Sequence, residues 1–203
     1  MKALYVTDRA AAGDERLREV LGALAGAPSL TVQLREKETP DRETLAWARR
    51  CREWIGRAVP LYVNGRFDIA IAAGADGVHL PADGLPLSRV RANTPRGFRV
   101  GVSTHSPEEA RRAITEGADL VVLGPIFETP SKRAFGPPLT PGALADLPAC
   151  REHRTEVYAI GGVTEETIDR LEPYRDRFSG VAGIRLFQDA ADAKAVALRI
   201  LQR

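Results

Sequence analysis

Short apolar runs alternate with longer amphipathic segments along the whole chain. The runs are "ALYVT" (3–7), "LTVQLR" (30–35), "PLYVN" (60–64), "GVHLP" (77–81), "RVGVST" (99–104), "LVVLGP" (120–125), "EVYAIGG" (156–162) and "GVAGIR" (180–185). Each is short, rich in Val, Ile, Leu or Tyr, and bounded by Gly, Pro or polar residues. That is the pattern of parallel strands buried on both faces. Between them lie helical patterns. Segment 14–26 sets Leu17, Val20, Leu21 and Leu24 on one face, and segment 40–56 sets Leu45, Ala48, Cys51 and Ile55 on one stripe. Segment 106–119 opens with Ser106, Pro107 and Glu109, a capping box with proline at the first helical position. Segment 189–203 places Ala193, Val196, Ala197 and Ile200 together. The connectors 66–74, 86–93, 140–147 and 164–172 are shorter.

Eight strand-like runs, each followed by a helical segment or connector, predict an α/β chain forming a (β/α)8 TIM barrel, as one domain over residues 1–203. A doubly wound open sheet is the alternative. The even spacing of the units favours the barrel. So does the repeat of Gly-Ala-Asp before a strand in "AAGADGVHL" and "TEGADLVVL".

Composition narrows the function classes. A chain of 203 residues that is 44% hydrophobic can bury a sizeable core. Lys and Arg number 29 against 27 Asp and Glu, a net charge of +2 spread along the chain. This points away from nucleic acid and membrane surfaces and toward small-molecule partners. Cys51 and Cys150 lie far apart, with no paired spacing and no His cluster, and read as reduced thiols. The start "MKALYVTDR" is too short and polar for a signal peptide, so a cytoplasmic location is expected.

In a barrel, ligands meet the C-terminal ends of the strands. The second run ends "VQLREK", where Gln33, Arg35 and Lys37 alternate and so face one way. A Gln-Arg-Lys row toward a barrel interior is costly unless it meets anions or hydrogen-bond partners. Asn64 ends the third run, His79 lies in the fourth, and Ser103 and His105 end the fifth. The sixth leads into "LGPIFETPSK", where Thr129, Ser131 and Lys132 put two hydroxyls and an ammonium close together. The seventh ends with Gly161-Gly162, which suits close approach of a phosphate, and Arg185 ends the eighth beside it. Every such position belongs to one chain, so the site requires no homo-oligomer, although one is compatible with it.

In order along the chain, "LYVTDR", "VQLREK", "LYVNGRFDIAIAAGADGVHL", "GVSTHSPEEARRA", "GADLVVLGPIFETPSK", "AIGGVT" and "GVAGIRLF" resemble the thiamin phosphate synthase family, which includes a thiazole tautomerase branch. The resemblance implies a (β/α)8 barrel and a transferase of thiamin biosynthesis. Such an enzyme joins hydroxymethylpyrimidine, carried as its diphosphate, to thiazole phosphate, with release of diphosphate. By resemblance, Arg35, Lys37, Ser103 and Lys132 are catalytic, working on the diphosphate. Gln33 and Asn64 hold the pyrimidine side. Thr129, Ser131, Gly161, Gly162 and Arg185 hold the thiazole phosphate side. The family also implies Mg²⁺ on carboxylates.

The chain departs from the family at informative places. The Asp expected after Asn64 is Gly65, and the acidic residue expected past His79 is Gly84, so the metal would fall to Asp83 or Asp68. The tautomerase branch lacks those carboxylates too, but uses a His just after the sixth strand, where this chain has Pro125. There His79, His105 or Glu128 would have to move the proton. Arg185 stands where the family often has Ser. A synthase is the leading reading. A thiazole tautomerase acting on carboxythiazole phosphate, and a non-catalytic barrel binding thiazole or thiamin phosphate, are the alternatives. The row Gln33, Arg35, Lys37 favours the synthase, whose substrate brings a second, more strongly anionic group.

Overall fold

The computed structural model describes residues 1–129 and 137–203. Eight strands, β1 (Lys2–Val6), β2 (Leu30–Leu34), β3 (Leu61–Asn64), β4 (Gly77–Leu80), β5 (Arg99–Thr104), β6 (Leu120–Leu123), β7 (Glu156–Ala159) and β8 (Gly180–Gly183), close into one barrel. All pairs are parallel, and β1 pairs with β8, Ala3 opposite Val181. That last pairing decides for the (β/α)8 barrel over the open sheet.

The helices are α1 (Arg9–Ala12), α2 (Asp14–Leu24), α3 (Asp41–Ile55), α4 (Phe67–Ala72), α5 (Leu87–Ala92), α6 (Pro107–Thr115), α7 (Pro141–Ala145), α8 (Arg185–Gln188) and α9 (Ala193–Gln202). A kinked 3-10 stretch, Ile168–Arg177, stands between β7 and β8. Each long helix buries the stripe its periodicity marks. In α2 the buried residues are Leu17, Val20, Leu21 and Leu24. Each such side chain contributes about 1.5–3 kcal/mol relative to exposure. α6 starts as its sequence predicts: Ser106 Oγ accepts from the Glu109 amide at 3.2 Å. The return bond goes one residue further out, to the His105 amide at 2.7 Å, which ties the end of β5 to the helix.

Strand residues alternate between two apolar layers. Val32, Leu34, Val63 and Val78 pack outward under the helices, while Leu4, Val6, Tyr62, Val122, Tyr158 and Ala182 fill the interior. At the N-terminal end of the barrel, Glu156 accepts from Lys2 Nζ at 2.5 Å and from Tyr158 Oη at 2.7 Å, a polar plug under the core. Catalytic space is therefore left at the other end. Among the described residues, no helix is long and apolar enough to cross a membrane.

Candidate active site

A cavity of about 980 Å³ opens where β7 and β8 end, lined by Thr129, Gly161, Gly162, Val163, Gly183 and Arg185 among others. A smaller cavity of about 420 Å³ lies at the opposite end, near Pro60, Asp76 and Arg99, away from the strand ends that carry ligands in this fold.

The floor of the large cavity comes from chain crossing. β7 stops at Ala159, so residues 160–162, read from sequence as strand, form a turn. The Ile160 and Gly161 carbonyls accept from the amides of Ile126 and Phe127, both at 2.9 Å, docking the loop after β6 against this turn. Gly161 and Gly162 have φ of +94° and +66°. A Cβ on Gly161 would stand 2.7 Å from Pro125 Cα, and one on Gly162 would stand 2.7 Å from Phe127 Cβ and 2.8 Å from the Glu128 carbonyl. The glycines thus admit the neighbouring loop, a reason additional to the phosphate approach expected from sequence. Among the described residues, the amides of Gly161, Gly162 and Val163 meet no acceptor, and neither do those of Ile184, Arg185 and Leu186. Successive unpaired amides on one concave wall suit an anion.

Side chains supply the rim. Thr129 is buried, and its hydroxyl accepts from Arg185 Nη2 at 3.4 Å, so β8's continuation reaches across to the β6 loop. Arg185 lies in the first position of α8, beyond β8, rather than in the strand. Glu128 beside it is exposed. Ser131 and Lys132 lie outside the described residues. Gln188, which no sequence signal marked, is buried and accepts from Tyr5 Oη and the Asp8 amide, each at 3.2 Å, fixing the β1 side of the cavity wall.

Across the mouth, Gln33 and Asn64 do face each other: Gln33 Nε2 donates to Asn64 Oδ1 at 3.0 Å. The Arg35 amide donates to Thr7 Oγ1 at 3.0 Å, which continues the β1–β2 register by one residue past Leu34. Arg35 therefore keeps the Gln33 side, half-buried. Lys37 does not sit in a strand. It is exposed on the turn that follows, so the alternation of three ends after two. A residue missed in the sequence holds that turn. Glu36 turns inward with a side chain only 5% exposed, and its Oε2 accepts from Arg9 Nε at 3.1 Å, Arg9 Nη2 at 2.9 Å and Thr39 Oγ1 at 2.7 Å. The Arg9 guanidinium in turn lies 4.6 Å over the Trp47 ring. Arg35 and Lys37 have no carboxylate partner among the described residues, whereas Arg9, Arg52, Arg66 and Arg91 are all ion-paired.

His79 is inside the barrel, 1% exposed, with Nε2 2.8 Å from Ser103 Oγ. Gly101 makes room for it, since a Cβ there would stand 2.7 Å from Nδ1. Burial pushes the imidazole down to about 3, so it stays neutral and fixes the Ser103 hydroxyl. His105 Nδ1 lies 2.8 Å from the Gly124 carbonyl, beside the β6 loop. Both cysteines are free, and burial pushes the Cys51 thiol up to about 12, far from nucleophilic use.

The carboxylates expected for Mg²⁺ do not assemble. Asp83 is exposed in the turn after β4. Asp68 is held bidentately by Arg66, at 2.9 and 2.6 Å, and that guanidinium keeps its carboxyl below the usual range. Gly65 takes the strand-end position itself. No group of three His, Cys, Asp or Glu able to hold a metal occurs among the described residues. The expectation that Asp83 is a metal ligand therefore has no donor set around it, and these residues do not fit a protein-held Mg²⁺.

Comparison with known proteins agrees with this architecture. Residues 3–187 match the family model described as thiamine monophosphate synthase. A putative thiamine-phosphate synthase of Geobacter sulfurreducens is 41% identical over 183 residues, 89% of this chain and 82% of the relative. A thiamine-phosphate synthase of Methanoculleus marisnigri is 40% identical over 203 residues, 98% of this chain and 94% of the relative. Among solved structures, a thiamine phosphate pyrophosphorylase from Pyrococcus furiosus superposes with a TM-score of 0.81 at 25% identity, covering 99% of this chain and 94% of that one. A closed eight-stranded barrel with its cavity at the β7–β8 end, matched along nearly its whole length, makes this chain a member of the thiamine monophosphate synthase family.

Proposed function

We propose that the chain is a thiamin phosphate synthase, a transferase of thiamin biosynthesis working in the cytoplasm on two small phosphorylated substrates. The observation that carries this reading is the pairing of two anion sites across one barrel mouth. One is the amide-lined cavity at β7 and β8, and the other is the unpaired Arg35–Lys37 segment after β2.

In this reading thiazole phosphate sits in the cavity, its phosphate on the amides of 161–163 and 184–186, with Arg185 pairing with the phosphate from the rim. Thr129 sets the direction of the guanidinium. Ser131 and Lys132 would complete this wall from the loop outside the described residues. The pyrimidine enters beside Gln33 and Asn64, whose amides bond each other in the empty site and turn to the ring edge when it arrives. Ser103, fixed by His79, supports the diphosphate end. The bond from the pyrimidine methylene carbon to the diphosphate oxygen then breaks, with both electrons leaving on oxygen. The thiazole nitrogen donates its lone pair to that carbon. The leaving group gains one negative charge as the bond breaks, so cations aimed at it lower the barrier. Arg35 and Lys37 are those cations. Arg9 and Glu36 hold the turn that presents them.

The test is a coupled assay of the purified protein with hydroxymethylpyrimidine diphosphate and thiazole phosphate. Thiamin phosphate, followed by fluorescence after oxidation, is the expected product. Its absence, with the protein folded by circular dichroism, would remove the synthase reading.

A further inference from the structure

We propose that this chain binds and releases diphosphate on cationic side chains, Arg35 and Lys37, without a divalent metal held by protein carboxylates. The inference rests on the synthase reading and adds to it how the leaving group is neutralised.

Three observations carry it. The first is the fate of the carboxylates nearest the ends of β3 and β4. Asp68 is bidentate to Arg66, which also binds Asp41. Taking Asp68 for a metal would break that pair and leave the guanidinium to repel the metal. Asp83 is alone in an exposed turn. The second is Gly65. Its amide donates to the His79 carbonyl at 2.8 Å, so it lies at the joint between β3 and β4, at φ +73°. A Cβ there would meet nothing within 4 Å. The space for a side chain exists and none fills it. The third is the cation balance already described: Arg35 and Lys37 have no carboxylate among the described residues, while the arginine next to their turn, Arg9, is consumed by Glu36. A site that takes a metal between diphosphate and carboxylates brings both positive and negative charge to the ligand. This site brings positive charge alone, and that suits direct ion pairing with diphosphate.

The chemistry balances without a metal. One C–O bond breaks and one C–N bond forms. The negative charge gained by diphosphate equals the positive charge gained by the thiazolium ring, and no proton need move.

Titration calorimetry of the full chain with inorganic diphosphate tests this, in buffer with chelator and in buffer with Mg²⁺. The expected result is binding in both, with affinities within about threefold of each other, and weakening by about tenfold or more in either buffer for Lys37→Ala. Lys37 is exposed, so its truncation leaves the fold intact; Arg35→Gln serves as the second variant. Binding that appears only with Mg²⁺, or that is untouched in both variants, overturns the proposal while thiamin phosphate formation with Mg²⁺ would still uphold the synthase reading. No diphosphate binding in either buffer overturns both.

Discussion

The two sides of the barrel mouth solve the same problem, an anionic ligand, by different means. At β7 and β8 the anion site is backbone: unpaired amides around Gly161 and Gly162, held in shape by the loop after β6 that docks on them. At β2 to β4 it is side chain: Arg35 and Lys37 on a turn fastened by Glu36 and Arg9. The amide site depends on close packing, and a single added Cβ would disturb it. The cationic site depends on charge and tolerates change of shape. The comparison teaches that geometric precision is concentrated where the thiazole phosphate is placed, and electrostatic strength where the diphosphate leaves.

The strongest way to break the comparison is to remove charge on the β2 side. Arg35→Ala combined with Lys37→Ala should lower kcat by roughly 10²–10³, the range seen when donors to a developing anion are lost. Steady-state assays at saturating thiazole phosphate would read it, and the melting temperature should move little. Next comes added bulk on the β7 side. Gly162→Val should cost about 1–3 kcal/mol of folding stability through overpacking and raise KM for thiazole phosphate; denaturant titration and kinetics together check both effects. Arg185→Ala should leave stability nearly unchanged and weaken thiazole phosphate binding by about 1.5–3 kcal/mol, the usual worth of a hydrogen bond to a charged group.

His79 gives a pH signature confined to the β4 side. Its pKa falls from near 6.5 in the unfolded chain to about 3 when buried. Between those values the unfolded chain takes up a proton and the folded chain does not. Stability is thus complete above pH 6.5 and declines as pH drops below it, by up to about 1.4 kcal/mol per pH unit. Urea unfolding between pH 7 and 5, above most carboxylate titrations, should show the slope, and His79→Gln should flatten it. Smallest of all, Asp83→Ala should change neither stability nor turnover beyond about 0.5 kcal/mol, as at any free surface position. A large loss there would restore Asp83 to the site.

The two sides also differ in how far they could be read from sequence. All eight strands start within about one residue of the apolar runs, because strands apolar on both faces leave an unmistakable record. The ends were harder. "EVYAIGG" and "LVVLGP" read as longer strands, but the chain leaves the sheet after Ala159 and Leu123, where residues 125–128 and 160–162 bond each other instead. That pairing is between loops distant in sequence, so no local pattern announces it. Gly161 and Gly162 were legible as a special turn, while the neighbour that requires them was not. On the β2 side, alternation placed Gln33 and Arg35 correctly. It then failed at Lys37, because the turn held by Glu36 and Arg9 ends the strand period. Glu36 itself was invisible, since a buried acid paired with an arginine elsewhere in the chain has the local signature of a surface residue. The departures at Gly65 and Gly84 were plain in the sequence. Their consequence needed the structure, which shows Asp68 bound by Arg66 and Asp83 alone.

The most direct measurement is thiamin phosphate formation by the purified chain from both substrates, run in parallel with chelator and with Mg²⁺. The account predicts product in both, at rates within about threefold, a difference of well under 1.4 kcal/mol in barrier. No product in either would contradict the synthase function, and product only with Mg²⁺ would contradict a leaving group held by Arg35 and Lys37.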